Sequence, residues 1–153
     1  KAVALLEILV NKQVQQTTQE KQANTSSTSQ TLFNLKLLAY ERIILFIERI
    51  KPDSFIPRTL SPSLPYQEYQ LLLINEIRKE FEYNLSQQLY LSENAWEATV
   101  NFKDNIITLI NSAATSCPPQ ATASDLARKI LEHYISSDLK GDQISKIVKA
   151  EIQ

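Results

Sequence analysis

Few side chains in this sequence have the types and spacing that chemistry needs. His133 is the one histidine and Cys117 the one cysteine. A metal site of the HExxH type, or the twin Glu-x-x-His sites of di-iron bundles, needs at least two histidines. A nucleophilic cysteine needs a neighbour that stabilises its thiolate, and Cys117 is followed instead by Pro118 and Pro119. With Gly141 as the lone glycine, neither a phosphate-cradling P-loop nor a GxGxxG turn can be built. No catalytic residue, cofactor or metal is therefore expected, and the chain reads as a non-enzyme.

The candidates that remain are groups for recognition. Glu41-Arg42 and Glu48-Arg49 recur at a seven-residue interval, which sets both pairs on one side of a helix. They read either as a solvated edge or as an ion network between helices or subunits. Asn84 and Gln88 stand beside the apolar line Ile77, Phe81, Leu85 and Leu89. A strict heptad turns both amides inward, where polar groups fix register at some cost in stability. A straight 3.6-residue period leaves them at the boundary. Trp96 is placed to fold back towards Leu89 and Tyr90 as part of the core, or to serve as an anchor facing a partner.

The elements that must position these residues are helices. Four of the six prolines lie between residues 52 and 65, the other two are at 118 and 119, and tight hairpins lack the glycines they need. Leu, Ile, Gln, Glu and Lys instead recur with a helical period. The expectation is an all-α bundle of about four to five helices behind a polar N-terminal tether. The organising stretch is 66–96: one long helix over 66–90, a corner at Leu91-Ser92, and the opening of the next helix. Before it, 31–50 puts Leu32, Leu35, Ala39, Ile43, Phe46 and Ile50 on one face. Leu38, Ile44, Leu45 and Ile47 widen that face until most of the helix should be covered, as in the centre of a bundle or a helix shared with another subunit. The connector 51–65 should be pinned by Phe55, Ile56, Leu60 and Leu64. Ser92 is the expected N-cap of a helix over 93–116, and Thr122 with Asp125 forms a capping box opening a helix over 124–136. A short helix over 142–152 should follow Gly141, the expected residue beyond the C-cap.

Residues 1–30 read as a separate region from the 31–153 bundle. The opening KAVALLEILV is apolar but only ten residues long, against about 20 for a bilayer span. The chain starts at Lys1, and this opening is expected to be the tail of an upstream membrane helix, a short amphipathic helix or a docking strip. The run 13–31 is rich in Gln, Thr and Ser, with Val14 and Ala23 as its apolar residues. Such a run buries too little to offset about 1–2 kcal/mol per residue of ordering entropy, so a flexible tether is expected, with a solvent-bridging helix as the alternative. Net charge is −1 without a strongly basic or acidic segment, so no nucleic-acid partner is expected.

LLAYERIILFIERIKP, IRKEFEYNLSQQLYLSENAW, LINSAA and DLARKILE resemble a family of Bacteroidota proteins, over about residues 35–153. Members of that family carry an amino-terminal membrane helix, a polar linker and a helical cytoplasmic-type domain, and the family has no assigned activity. The resemblance implies a membrane anchor upstream of residue 1. The functional expectation is a non-catalytic interaction or scaffold module, a membrane-tethered subunit of an envelope-associated assembly with a protein partner or as a homo-oligomer. The alternative is a small-ligand or lipid-binding bundle, with Tyr40, Phe46, Phe81, Tyr90, Trp96 and Phe102 lining a cavity.

Overall fold

The computed structural model describes residues 2–139, 146–147 and 149–151, with side-chain surroundings described for 7–12 and from 25 onward within them. The fold is all-α, as the periodicity predicts. Its helices are α1 (Ala2–Ile50), α2 (Pro52–Thr59), α3 (Tyr66–Tyr83), α4 (Glu93–Thr115) and α5 (Ala123–Ile135), with a 3-10 helix over Leu85–Tyr90 between α3 and α4. The chain divides into two units, Lys1–Leu37 and Leu38–Gln153, so the boundary falls beyond the expected 30/31.

In the first unit the expectation of a coil at 13–30 is corrected: α1 runs through it. Gln, Glu and Lys propagate a helix well, and the first proline is Pro52, so nothing breaks the ladder. Hydroxyl side chains weaken a helix by competing for backbone groups, but they can also bond back within it. Thr31 does so, its Oγ1 donating to the Ser27 carbonyl at 2.9 Å. Residues 7–12 and 25–34 are exposed, including Ile8, Leu9, Val10, Leu32 and Phe33.

The second unit holds the core. Tyr40, Ile43, Phe46, Ile47 and Ile50 from α1 join Phe55 and Ile56 from α2, and Tyr69, Leu73 and Ile77 from α3. Phe102, Ile106, Leu109, Ile110 and Ala113 from α4 and Leu126 and Ile130 from α5 complete it. Each fully buried large aliphatic or aromatic side chain contributes about 1.5–3 kcal/mol. Helices α3, α4 and α5 pack on one another, and α2 packs on α5. In α4, Phe102, Ile106, Leu109 and Ala113 are buried together with Ile110 and Ala114, whereas Trp96, Val100 and Ile107 are half-buried.

The connector 51–65 is more ordered than a connector need be. Pro52 opens α2 at a position where its missing N–H costs nothing, and Phe55 and Ile56 are buried as expected. The links leading into α3 and α5 are tied together: Tyr66 N–H donates to the Ala121 carbonyl at 3.1 Å, and Ala123 N–H to that of Leu64 at 2.7 Å. Ser92 caps α4, its Oγ accepting from Ala95 N–H at 3.0 Å. Thr122 N–H donates to the Asp125 carboxylate at 3.0 Å, as the capping box requires. Gly141 and much of the expected 142–152 helix lie outside the described residues. The described part, 146–147 and 149–151, is helical.

The single helix expected over 66–90 is corrected to two pieces. Asn84 N–H donates to the Phe81 carbonyl at 2.9 Å, and its Nδ2 donates to the Glu80 carbonyl at 2.8 Å. That amide occupies a carbonyl at the end of α3, and the chain tightens into the 3-10 turn. The change from about 100° to about 120° per residue breaks the phase of the apolar line. Ile77 is fully buried and Phe81 half-buried, but Leu85 and Leu89 swing out to 45% and 82% exposure.

Candidate interaction surface

The surface of interest lies where the second half of α1 runs beside α3. A cleft of about 340 Å³ is lined there by Arg42, Leu45, Phe46, Arg49, Glu76, Lys79, Glu80, Tyr83 and Asn84. Its apolar floor is Phe46 with the exposed Leu45, and Tyr83 stands at the edge, 81% exposed.

One end of the cleft is locked by charge. Glu80 accepts from Arg49 through Nη2 at 2.9 Å and Nε at 3.3 Å, and from Arg58 Nη1 at 3.4 Å. Arg58 also donates to the Arg49 carbonyl at 3.0 Å, covering an orphan acceptor at the end of α1. Its guanidinium lies 5.2 Å from the centre of the Phe55 ring. The hydrogen bond to Glu80, and then that carboxylate's charge, push the Arg49 pKa further up, so it stays a cation. Two further cations line the cleft, and neither Arg42 nor Lys79 has a hydrogen-bond or ion-pair partner among the described residues.

Behind the floor, rings link three helices. Phe46 of α1 lies 6.0 Å from Phe81 of α3, and Phe81 stacks on Trp96 of α4 at 5.4 Å and 27°. Lys103 Nζ sits 4.1 Å above the Phe81 ring centre. Trp96 also lines a second cleft, of about 460 Å³, with Gln88, Leu91, Ser92, Glu93, Glu97 and Val100. Ser92 Oγ bonds the Glu151 carboxylate beside it.

The candidates from the sequence are only partly brought together. Arg42, Arg49 and Asn84 line the first cleft, and Gln88 and Trp96 the second. Glu41 is exposed, and Glu48 pairs with Lys51 at 2.6 Å. Of the two inward amides a heptad would give, neither is fully buried. Asn84 is half-buried and serves as a helix stop, Gln88 is exposed, and Gln87 is buried in its place because the 3-10 turn shifts the phase. Sequence reasoning missed Glu80, Arg58 and Tyr83. Glu80 and Arg49 are 31 residues apart, and no local spacing announces such a pair.

Burial pushes the Cys117 thiol up, with Lys129 pulling the other way, so the thiolate is disfavoured. Burial also raises the Tyr69 phenol, which shares a hydrogen bond of 2.9 Å with Thr59. Among the described residues no group of His, Cys, Asp or Glu is placed to hold a metal ion. No helix among them is long and apolar enough to cross a membrane.

Neither the curated proteins nor the solved structures include a match to this chain. A family model does match, over residues 2–153. The chain therefore belongs to the Family of unknown function (DUF7935).

Proposed function

We propose that this chain is a non-catalytic interaction module whose protein-binding surface is the cleft between α1 and α3 and the exposed side of α1 beside it. The observation that carries this reading is the composition of the cleft. Leu45 and Tyr83 are exposed at 54% and 81% over the buried Phe46, beside two cations, Arg42 and Lys79, that have no partner among the described residues. Apolar side chains in the open next to unsatisfied charge match the pattern of an interface core with a polar rim. The reading extends to a subunit tethered to a membrane by a segment upstream of residue 1, in a protein of the Bacteroidota type, its helical domain on the cytoplasmic side. What supports that extension is the resemblance carried by LLAYERIILFIERIKP, IRKEFEYNLSQQLYLSENAW, LINSAA and DLARKILE.

A photo-crosslinking residue at position 83, in cells producing the chain, tests the interaction reading. Protein adducts should form from that position and not from Arg128 on α5. Absence of adducts at 83, or equal yields from both positions, would overturn it.

A second reading, a small-ligand or lipid-binding bundle, is favoured by one observation. The cleft beside Trp96 falls within the roughly 300–1,000 Å³ range of ligand pockets. The six aromatics expected to line a cavity are otherwise largely spent on packing, since Tyr40, Phe46 and Phe102 are buried in the core.

A further inference from the structure

The side of α1 facing away from the core carries two leucines that packing within the chain leaves open. Leu38 is 51% exposed and Leu45 54%, while Ala39, Tyr40, Ile43, Phe46 and Ile47 are buried. At about 100° per residue, Leu38, Glu41, Arg42 and Leu45 fall within about 100° of arc, roughly opposite the buried set. They form a stripe about 10 Å long, two leucines with an acid and a base between them. Of the two Glu-Arg pairs on this helix, the second is already engaged. Glu48 bonds Lys51 and Arg49 bonds Glu80. Glu41 and Arg42 are exposed, with no partner among the described residues.

We infer that this stripe is the contact between two copies of the chain, α1 against α1, antiparallel about a two-fold axis passing between Glu41 and Arg42. The inference rests on the interaction reading above and names the partner. What selects a second copy is the order of the residues in LAYERIIL, 38–45. Turned end for end about its midpoint, the segment sets Leu38 against Leu45 of the second copy and Glu41 against its Arg42. The operation is its own inverse, so every contact occurs twice, as an isologous interface demands. Parallel pairing in register would set Glu41 on Glu41 and Arg42 on Arg42, two repulsions in place of two attractions. The charge pattern therefore chooses both the partner and the direction.

The two-fold makes a decisive test possible. Sedimentation velocity of the full chain over rising concentration should show a monomer–dimer equilibrium. E41R alone and R42E alone should each weaken it at least about tenfold, because one substitution turns both symmetric attractions into repulsions. Mixing the two variants in equal amounts should restore association, since each then supplies the charge the other lacks. The double variant E41R/R42E should self-associate like the original. Both substituted positions are exposed, and thermal unfolding followed by circular dichroism checks that each variant folds. A chain that stays monomeric throughout, swaps without effect, or a mixture that fails to associate would each overturn the proposal. If position 83 still crosslinks to a different protein while the chain is monomeric, the interaction reading stands and the two-fold contact falls. If both results are negative, both fall.

Discussion

Asp125 shows how much a single residue can carry and how its share depends on pH. Its carboxylate accepts from Thr122 N–H at 3.0 Å, and this bond is the first cause holding its pKa below the ordinary aspartate value. Arg128 at 2.8 Å adds to the effect. A depressed folded pKa means that the carboxylate's contribution is complete above the unfolded value of about 3.9 and is lost as pH falls through the folded one. The thermal midpoint of wild type should therefore exceed that of Asp125→Asn at pH 7, and the gap should close as the buffer is taken down from about pH 4. A gap that persists unchanged at the acid end would place the contribution in packing. This box was legible because Thr122 and Asp125 lie three residues apart, in the local frame in which caps operate. Glu80 was not, because its partners Arg49 and Arg58 reach it from other elements.

At the scale of elements, α1, α3 and α4 are held by the ladder Phe46–Phe81–Trp96. Phe81 is only half-buried, yet it is the middle rung and also lies under Lys103. Phe81→Ala should cost about 3 kcal/mol and shift the Trp96 emission to the red, whereas Lys79→Ala should cost under about 0.5 kcal/mol. Denaturant unfolding of both variants reads this directly, and equal costs would mean the ladder does not bind the three helices. The apolar period gave the right phase for this helix as far as Phe81. Beyond it the same period put Leu85 and Leu89 inward, because a run without Gly or Pro shows no stop. The stop is made by a side chain, Asn84 bonding back to the Glu80 carbonyl. The opposite error occurred at 13–30, where polar composition argued for coil. Composition there measures how little the run can bury, whereas a run continuous with an established helix needs no nucleus of its own and only propagates the ladder.

For the whole molecule, the all-α class followed from scarce breakers and a helical period. The candidate surface did not, because periodicity says which residues share a face and not whether another helix covers it. Leu38 and Leu45 belong to the widened apolar face expected to be covered, and the second unit leaves both in the open. In the two-fold contact proposed above both are apolar for a partner and contribute little to the fold. Changing both to Gln, a good helix former, tests that claim most directly. Leu38→Gln/Leu45→Gln, unfolded by denaturant at a concentration where the wild-type chain is monomeric, should match wild type within about 0.5 kcal/mol. At higher concentration the same variant should show no self-association by sedimentation. A stability loss of about 2 kcal/mol or more would return both leucines to the core, and association equal to wild type would remove the stripe from the interface. Either result contradicts a stripe kept apolar for a second copy.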